Sequence, residues 1–152
     1  MDPTAKDKLI ADHLALVRGL IKRVENKSRD EIVLGNLDRL RQRINIAIRA
    51  MPESVISQMS PFMISYQEEI LGRNEAFFLS CNAKEEYVKK TQKKPTAEDE
   101  FIFALTDTVR GFYKASPKAE QDAIYQDVVK LFNACVAWML MQQGVVTRGH
   151  TP

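Results

Sequence analysis

Clustered lysines and arginines are the residues of this chain whose types and spacing suit a particular chemistry. That chemistry is the binding of phosphate groups. The residues concerned are Lys89, Lys90, Lys93 and Lys94 in a tract before a proline, and Arg39, Arg43 and Arg49 along one predicted helix. Either group could bind nucleic acid through its phosphates. We interpret both first as solvated surface, because no aromatic residues interleave with the arginines to stack bases and because lysines suit the end of a helix.

His13 lies on the apolar stripe of the first predicted helix, where it could bind a metal or transfer a proton. Either role would need a partner such as a cysteine, a second histidine or a Glu-x-x-His pair, and none accompanies it in the sequence. The pattern therefore predicts a histidine at the edge of the core, with a local hydrogen bond.

The two cysteines, Cys81 and Cys135, both lie in apolar helical surroundings. A nucleophilic thiol would need a base and an electropositive niche, whereas Cys135 is flanked by Phe132 and Val136. We predict two free, buried thiols in a reducing compartment, with a disulfide as the less favoured alternative.

No motif for nucleotide, zinc or redox chemistry is present: the sequence contains no G-x-G-x-x-G, G-x-x-x-x-G-K-[ST], H-E-x-x-H or C-x-x-C. Adjacent carboxylates such as Glu68 with Glu69 point to different faces of a helix, so they do not form an acid/base pair. We therefore expect a protein that is not an enzyme and that has no cofactor, no metal and no evident small-molecule substrate.

The elements that position these residues are predicted to be helices throughout, arranged around a hydrophobic C-terminal helix from Pro117 to Gln143. Ser116 is its expected N-cap and Gly144 its expected stop. From Leu131 onward this helix is apolar nearly all round, which is typical of the centre of a bundle. The apolar run is too short for a membrane span, which needs roughly 20 residues.

Four further helices are expected near residues 5–25, 29–51, 61–81 and 97–114, within an all-α, single-domain bundle of five to seven helices. Their predicted caps are either Asp2 or Thr4, the latter with Asp7, for the first helix, then Ser28 with Glu31, Ser60 before Pro61, and Thr96 with Asp99. Asn82 with Glu85 could cap a separate helix, so residues 61–92 form either one kinked helix or two.

The segment Gly72-Arg73-x-x-Ala76-Phe77-Phe78 resembles part of the first homology motif of Bcl-2-like proteins, which are all-helical domains of comparable length. The resemblance covers seven residues. Ile70-Leu71 stand where that motif has Asn-Trp, and a charged segment follows where the family has its buried central helix. We therefore assign no family from this motif.

The composition is that of an ordinary globular protein, with 45% hydrophobic and 28% charged residues among 152. A net charge of +2 does not favour a dedicated nucleic-acid binder. The N-terminus lacks the apolar core of a signal peptide, so we expect an intracellular, cytoplasmic protein.

The leading functional prediction is a structural or assembly subunit of a larger complex, for which a particle such as a virion would be one setting. The wide apolar stripes of the first two helices could serve both a core and a protein partner, either another copy or a different chain. Residues 1–144 form the predicted bundle, and residues 145–152 form an arm that docks on a neighbour through Val145, Val146, Arg148 and His150. The alternatives are a nucleic-acid-binding module and a regulatory adaptor that binds a partner helix in a groove.

Overall fold

The computed structural model describes residues 4–80 and 82–143, which form eight α-helices and no strand. This confirms the all-α bundle. The helices are α1 (Ala5–Lys27), α2 (Glu31–Ala50), α3 (Ser54–Ser65), α4 (Gln67–Leu71), α5 (Glu75–Ser80), α6 (Ala83–Thr91), α7 (Ala97–Ala115) and α8 (Lys118–Gln142). None of the described helices is long and apolar enough to cross a membrane.

Helix α8 packs along α1 and α3 and touches α4 and α7, whereas α2 packs mainly on α7. Its inner face buries Ile124, Leu131, Phe132, Cys135 and Trp138. The opposite side is not enclosed, because Leu140 remains 43% exposed. The sequence of α8 is apolar nearly all round, but the structure buries only one side of the helix.

Thr4 and Thr96 cap α1 and α7 as predicted. Thr4 accepts a hydrogen bond from the Asp7 N–H, and Thr96 with Asp99 forms a complete capping box. The prediction for Ser28 is wrong: Asp30 caps α2 through the N–H groups of Ile32 and Val33, while Ser28 ends α1. An Asp side chain next to the first turn also complements the helix dipole.

The prediction that Ser116 caps α8 is also wrong. Its hydroxyl donates to the Phe112 carbonyl, one turn back in α7, and α8 begins after Pro117 without a side-chain cap. A serine hydroxyl can accept a hydrogen bond from a following N–H group or donate one to a preceding carbonyl, and here it donates to the preceding helix. Gly144, the predicted stop, lies outside the described residues.

The segment predicted as a helix over 61–81 is divided differently. Helix α3 begins at Ser54 and continues through Pro61, with the Ser60 hydroxyl donating to the Ile56 carbonyl instead of capping a new helix. Breaks at Tyr66 and after Leu71 then separate α4 and α5. These breaks raise the number of described helices above the expected five to seven. Asn82 does cap a separate helix, α6, by accepting from the Glu85 N–H.

Candidate functional site

A groove of about 630 Å³ lies where the end of α2, the start of α3 and the start of α7 meet. Most of its lining is apolar. These residues are Ile44, Ile46, Ala47, Ala50, Met51, Val55, Phe101 and Ile102, with Arg43, Ser54, Gln58 and Glu100 as the polar members. A second cavity, between α3, α5, α7 and α8, measures about 90 Å³.

Two large apolar side chains on the wall of the groove are open to solvent: Ile46 is 65% exposed and Met51 is 54% exposed. In the sequence, Met51 continues the heptad spacing of Val33, Leu37, Leu40, Ile44 and Ala47, which predicts that it lies on the inner face of the second helix. Its backbone is instead extended (φ −158°, ψ 94°), because α2 ends at Ala50, the residue before it. Helix termination before Pro52 therefore places Met51 at the mouth of the groove.

The two charged residues of the groove differ in whether they form an ion pair. Glu100, on α7, forms an ion pair with Lys84 at 3.1 Å. Arg43, on α2, is exposed, and none of the ion pairs described for residues 4–80 and 82–143 includes it. The uncompensated charge at the groove is therefore positive, on the α2 side.

The two basic groups predicted as nucleic-acid contacts lie on different elements. Three arginines are exposed along α2: Arg39, Arg43 and Arg49. The guanidinium of Arg39 donates a hydrogen bond of 3.1 Å to the side-chain oxygen of Asn36. Lys89 and Lys90 end α6, and Lys93 and Lys94 follow in the connection to α7; all four are exposed. The structure thus joins Arg43 to an apolar groove and leaves the lysines on α6 and its loop.

A second polar feature lies inside the core, where His13 of α1 meets Met59 of α3 and Cys135 of α8. The His13 Nε2 atom is 3.3 Å from Met59 Sδ and 3.9 Å from Cys135 Sγ. His13 and Cys135 are completely buried, so the prediction of a histidine at the core edge is wrong, whereas that of a buried Cys135 is confirmed. The reason is that both α3 and α8 cover this face of α1. Cys81 lies outside the described residues.

Burial dominates the protonation of both groups. It lowers the pKa of the His13 imidazole from 6.5 to about 4. It raises the pKa of the Cys135 thiol from 9.0 to about 11, although a hydrogen bond with Ser60 acts in the opposite direction. At neutral pH the pair is therefore an uncharged imidazole and an uncharged thiol, which does not suit acid/base or nucleophilic catalysis.

The sequence could not reveal this centre, because Met59 and Cys135 are 46 and 122 residues from His13. The only available signal was a histidine in a heptad position. Among the residues that the structure describes, no three His, Cys, Asp or Glu side chains are grouped so that they could hold a metal.

The residues predicted for the C-terminal arm, Val145, Val146, Arg148 and His150, lie outside the described residues. No protein-family model matches the chain, and searches of curated proteins and of solved structures return no significant match. The geometry of the groove therefore carries the functional argument by itself.

Proposed function

We propose that the protein is a non-enzymatic binding subunit whose groove between α2, α3 and α7 receives an apolar helical segment of a different protein. The observation that carries this proposal is the exposure of Ile46 and Met51 beside a concave apolar surface. Single exposed apolar side chains are common on protein surfaces, but exposed apolar groups that line a cavity are typical of binding sites.

The shape of the groove favours a protein segment over a small molecule. Its volume falls in the range of ligand pockets, which runs from roughly 300 to 1,000 Å³, yet such pockets enclose most of their ligand. Here the wall residues Ile46 and Met51 are more than half exposed, so a bound group would itself stay partly exposed. A helix that inserts one or two apolar side chains and covers Ile46 with the rest of its face would bury both surfaces.

The charge at the groove specifies the partner further. A bound helix would approach Arg43 on the α2 side, whereas Glu100 is already neutralised by Lys84. An Asp or Glu on the partner would therefore gain a charge-assisted hydrogen bond with Arg43. We infer an amphipathic helix with apolar residues three or four positions apart and a carboxylate beside them.

The test compares two exposed isoleucines of the same helix. Ile46 lines the groove, whereas Ile32, which is 75% exposed, lies at the other end of α2 and outside it. Affinity-tagged wild type, Ile46→Glu and Ile32→Glu would be isolated from the native source, and the bound proteins identified by mass spectrometry. We expect wild type and Ile32→Glu to retain the same partner and Ile46→Glu to lose it. Equal recovery with all three proteins would contradict the proposal.

Assembly into a larger complex is the setting in which such a groove would act, and the arm over residues 145–152 remains a prediction of a second contact. Nucleic-acid binding through the α2 arginines or the lysine tract is the competing hypothesis. It would show as an affinity that falls steeply with salt concentration, whereas an apolar groove responds weakly to salt.

A further inference from the structure

One nitrogen and two sulfur atoms from three different helices converge inside the core, beyond the groove and independent of it. They are Nε2 of His13, Sδ of Met59 and Sγ of Cys135, all in side chains that are at most 2% exposed. The His13 ring gains little from this arrangement as an ordinary polar group. Sulfur is a weak hydrogen-bond acceptor, and Nδ1 of the ring is buried with no hydrogen-bond partner among the described residues.

We propose that His13, Met59 and Cys135 form a binding site for one Cu(I) ion, with the imidazole nitrogen, the thioether and the thiolate as its three ligands. Thioether and thiolate sulfur are soft ligands that select Cu(I), and imidazole also suits copper. The site lies apart from the groove, so the proposal does not depend on the proposed function.

The two nitrogen–sulfur distances are compatible with ligands of a single ion. Bonds of about 2.0 Å to nitrogen and 2.3 Å to sulfur, the lengths found in zinc sites, would at an angle of 120° place nitrogen and sulfur about 3.7 Å apart. The two observed nitrogen–sulfur distances, 3.3 and 3.9 Å, lie on either side of this value. Each sulfur therefore lies within a few tenths of an ångström of the nitrogen–sulfur separation that such a site needs.

The charge of the site discriminates between metals. A thiolate, two neutral ligands and Cu(I) sum to zero, so the loaded site would leave no net charge in the apolar core. A divalent ion such as Zn²⁺ in the same place would leave one uncompensated positive charge, which is costly to bury. Zn²⁺ also prefers four ligands, and no further His, Cys, Asp or Glu in the described part of the chain completes the set.

Binding replaces the proton of the Cys135 thiol with the metal. Cu(I) enters, the sulfur–copper bond forms, and one proton leaves to solvent, with no change in oxidation state. Because the ligand of the metal is the thiolate, each bound ion should release one proton. The ligands are enclosed, so the ion would enter during folding or by local opening of the helices.

The experiment uses the full chain with Cys81→Ser, so that Cys135 is the sole thiol. The protein is refolded without oxygen in the presence of Cu(I), and separately titrated when folded, against a coloured Cu(I) chelator. We expect one bound ion per chain in the refolded sample, and copper-edge X-ray absorption should show one nitrogen and two sulfur ligands.

Two methionines of α3 provide a matched pair of variants. Met59→Leu removes the thioether next to His13, whereas Met63→Leu changes a buried methionine one turn later that has no described contact with His13. Leucine nearly conserves the volume, so both variants should fold, as their melting temperatures without copper would verify. We expect Met59→Leu to weaken Cu(I) binding at least about 10-fold, as disturbance of metal sites commonly does. Met63→Leu should bind like the parent.

Three results would overturn the proposal: no stoichiometric Cu(I) binding after either loading procedure, equal affinities of Met59→Leu and Met63→Leu, or Zn²⁺ binding as tight as that of Cu(I). Loss of partner capture by Ile46→Glu would be unaffected by any of them, so failure of the metal site is distinguishable from failure of the groove.

Discussion

Nη2 of Arg73 lies 2.6 Å from Oδ1 of Asp122, and this ion pair fastens the turn after α4 to the first turns of α8. Arg73 itself has a left-handed backbone (φ 48°), which costs energy for any residue except glycine. Its guanidinium also lies 4.8 Å from the centre of the Tyr125 ring. The side-chain contacts of Arg73 therefore hold a turn that its backbone disfavours.

The Arg73–Asp122 pair predicts a specific dependence of stability on acid. The hydrogen bond from Arg73 lowers the pKa of Asp122 below its ordinary value of 3.8. Its contribution is thus fully present above that value and is lost as the pH falls below it. We expect Asp122→Asn to lower the melting temperature at pH 7 and to differ less from wild type in strong acid. A constant difference over this range would contradict the assignment.

The buried His13 predicts a second loss of stability on acidification of the metal-free protein. This loss occurs at a higher pH than that of the Arg73–Asp122 pair. The folded state holds this imidazole with a pKa of about 4, below its ordinary 6.5, so the unfolded chain takes up a proton first. Stability is therefore full above 6.5 and falls as the pH drops toward 4. The loss is about 3 kcal/mol, at 1.36 kcal/mol per pKa unit.

Urea unfolding at a series of pH values measures this loss, with His13→Leu as the reference that cannot titrate. We expect the slope of stability between pH 6.5 and 4 to be smaller in the variant than in wild type. Parallel curves would show that other groups account for the acid sensitivity.

The helices were predictable from sequence because their signals are local. Thr4 and Thr96 mark helix starts within four residues, and the spacing of Leu37, Leu40 and Ile44 marks the buried face of α2. Ser60 before Pro61 carries the same local signal, yet tertiary contacts begin α3 six residues earlier. Local rules allow either outcome for a serine next to a proline. In this structure Val55, Ile56 and Met59, which precede Ser60, are buried on the same helix.

The candidate sites were not predictable, because each depends on elements distant in sequence. The groove needs Ile46 of α2 and Phe101 of α7 side by side. The core centre needs a methionine, a residue type with no motif, to meet His13 from another helix. A search for metal ligands along the sequence could not bring these residues together.

The burial pattern of α8 predicts that truncating two nearby side chains will change the free energy of unfolding by very different amounts. Trp138 is 3% exposed, whereas Leu140 is 43% exposed. Trp138→Ala should destabilise the protein by about 3 to 5 kcal/mol, the usual cost of removing a buried aromatic side chain. Leu140→Ala should cost much less. Urea unfolding of both variants measures the two values, and equal losses would mean that α8 packs in a different rotation.

The lysine tract predicts a negative result that separates protein binding from nucleic-acid binding. The combined change Lys89→Glu, Lys90→Glu and Lys93→Glu should alter the melting temperature little, because exposed charges contribute little individually. Retention of the protein on a DNA or RNA column at low salt should also be unchanged. A measurable affinity in wild type that disappears in the variant would favour the nucleic-acid hypothesis.

The most direct measurement of the central claim places a photoreactive amino acid at position 46, inside the groove, or at position 32, on the same helix outside it. Irradiation in the native source, followed by mass spectrometry, identifies the residues that each position contacts. We predict a single cross-linked protein at position 46, joined through an amphipathic helix that carries a carboxylate, and no such product at position 32. Cross-links only to a second copy of the chain, equal products at both positions, or no product at position 46 would contradict the account.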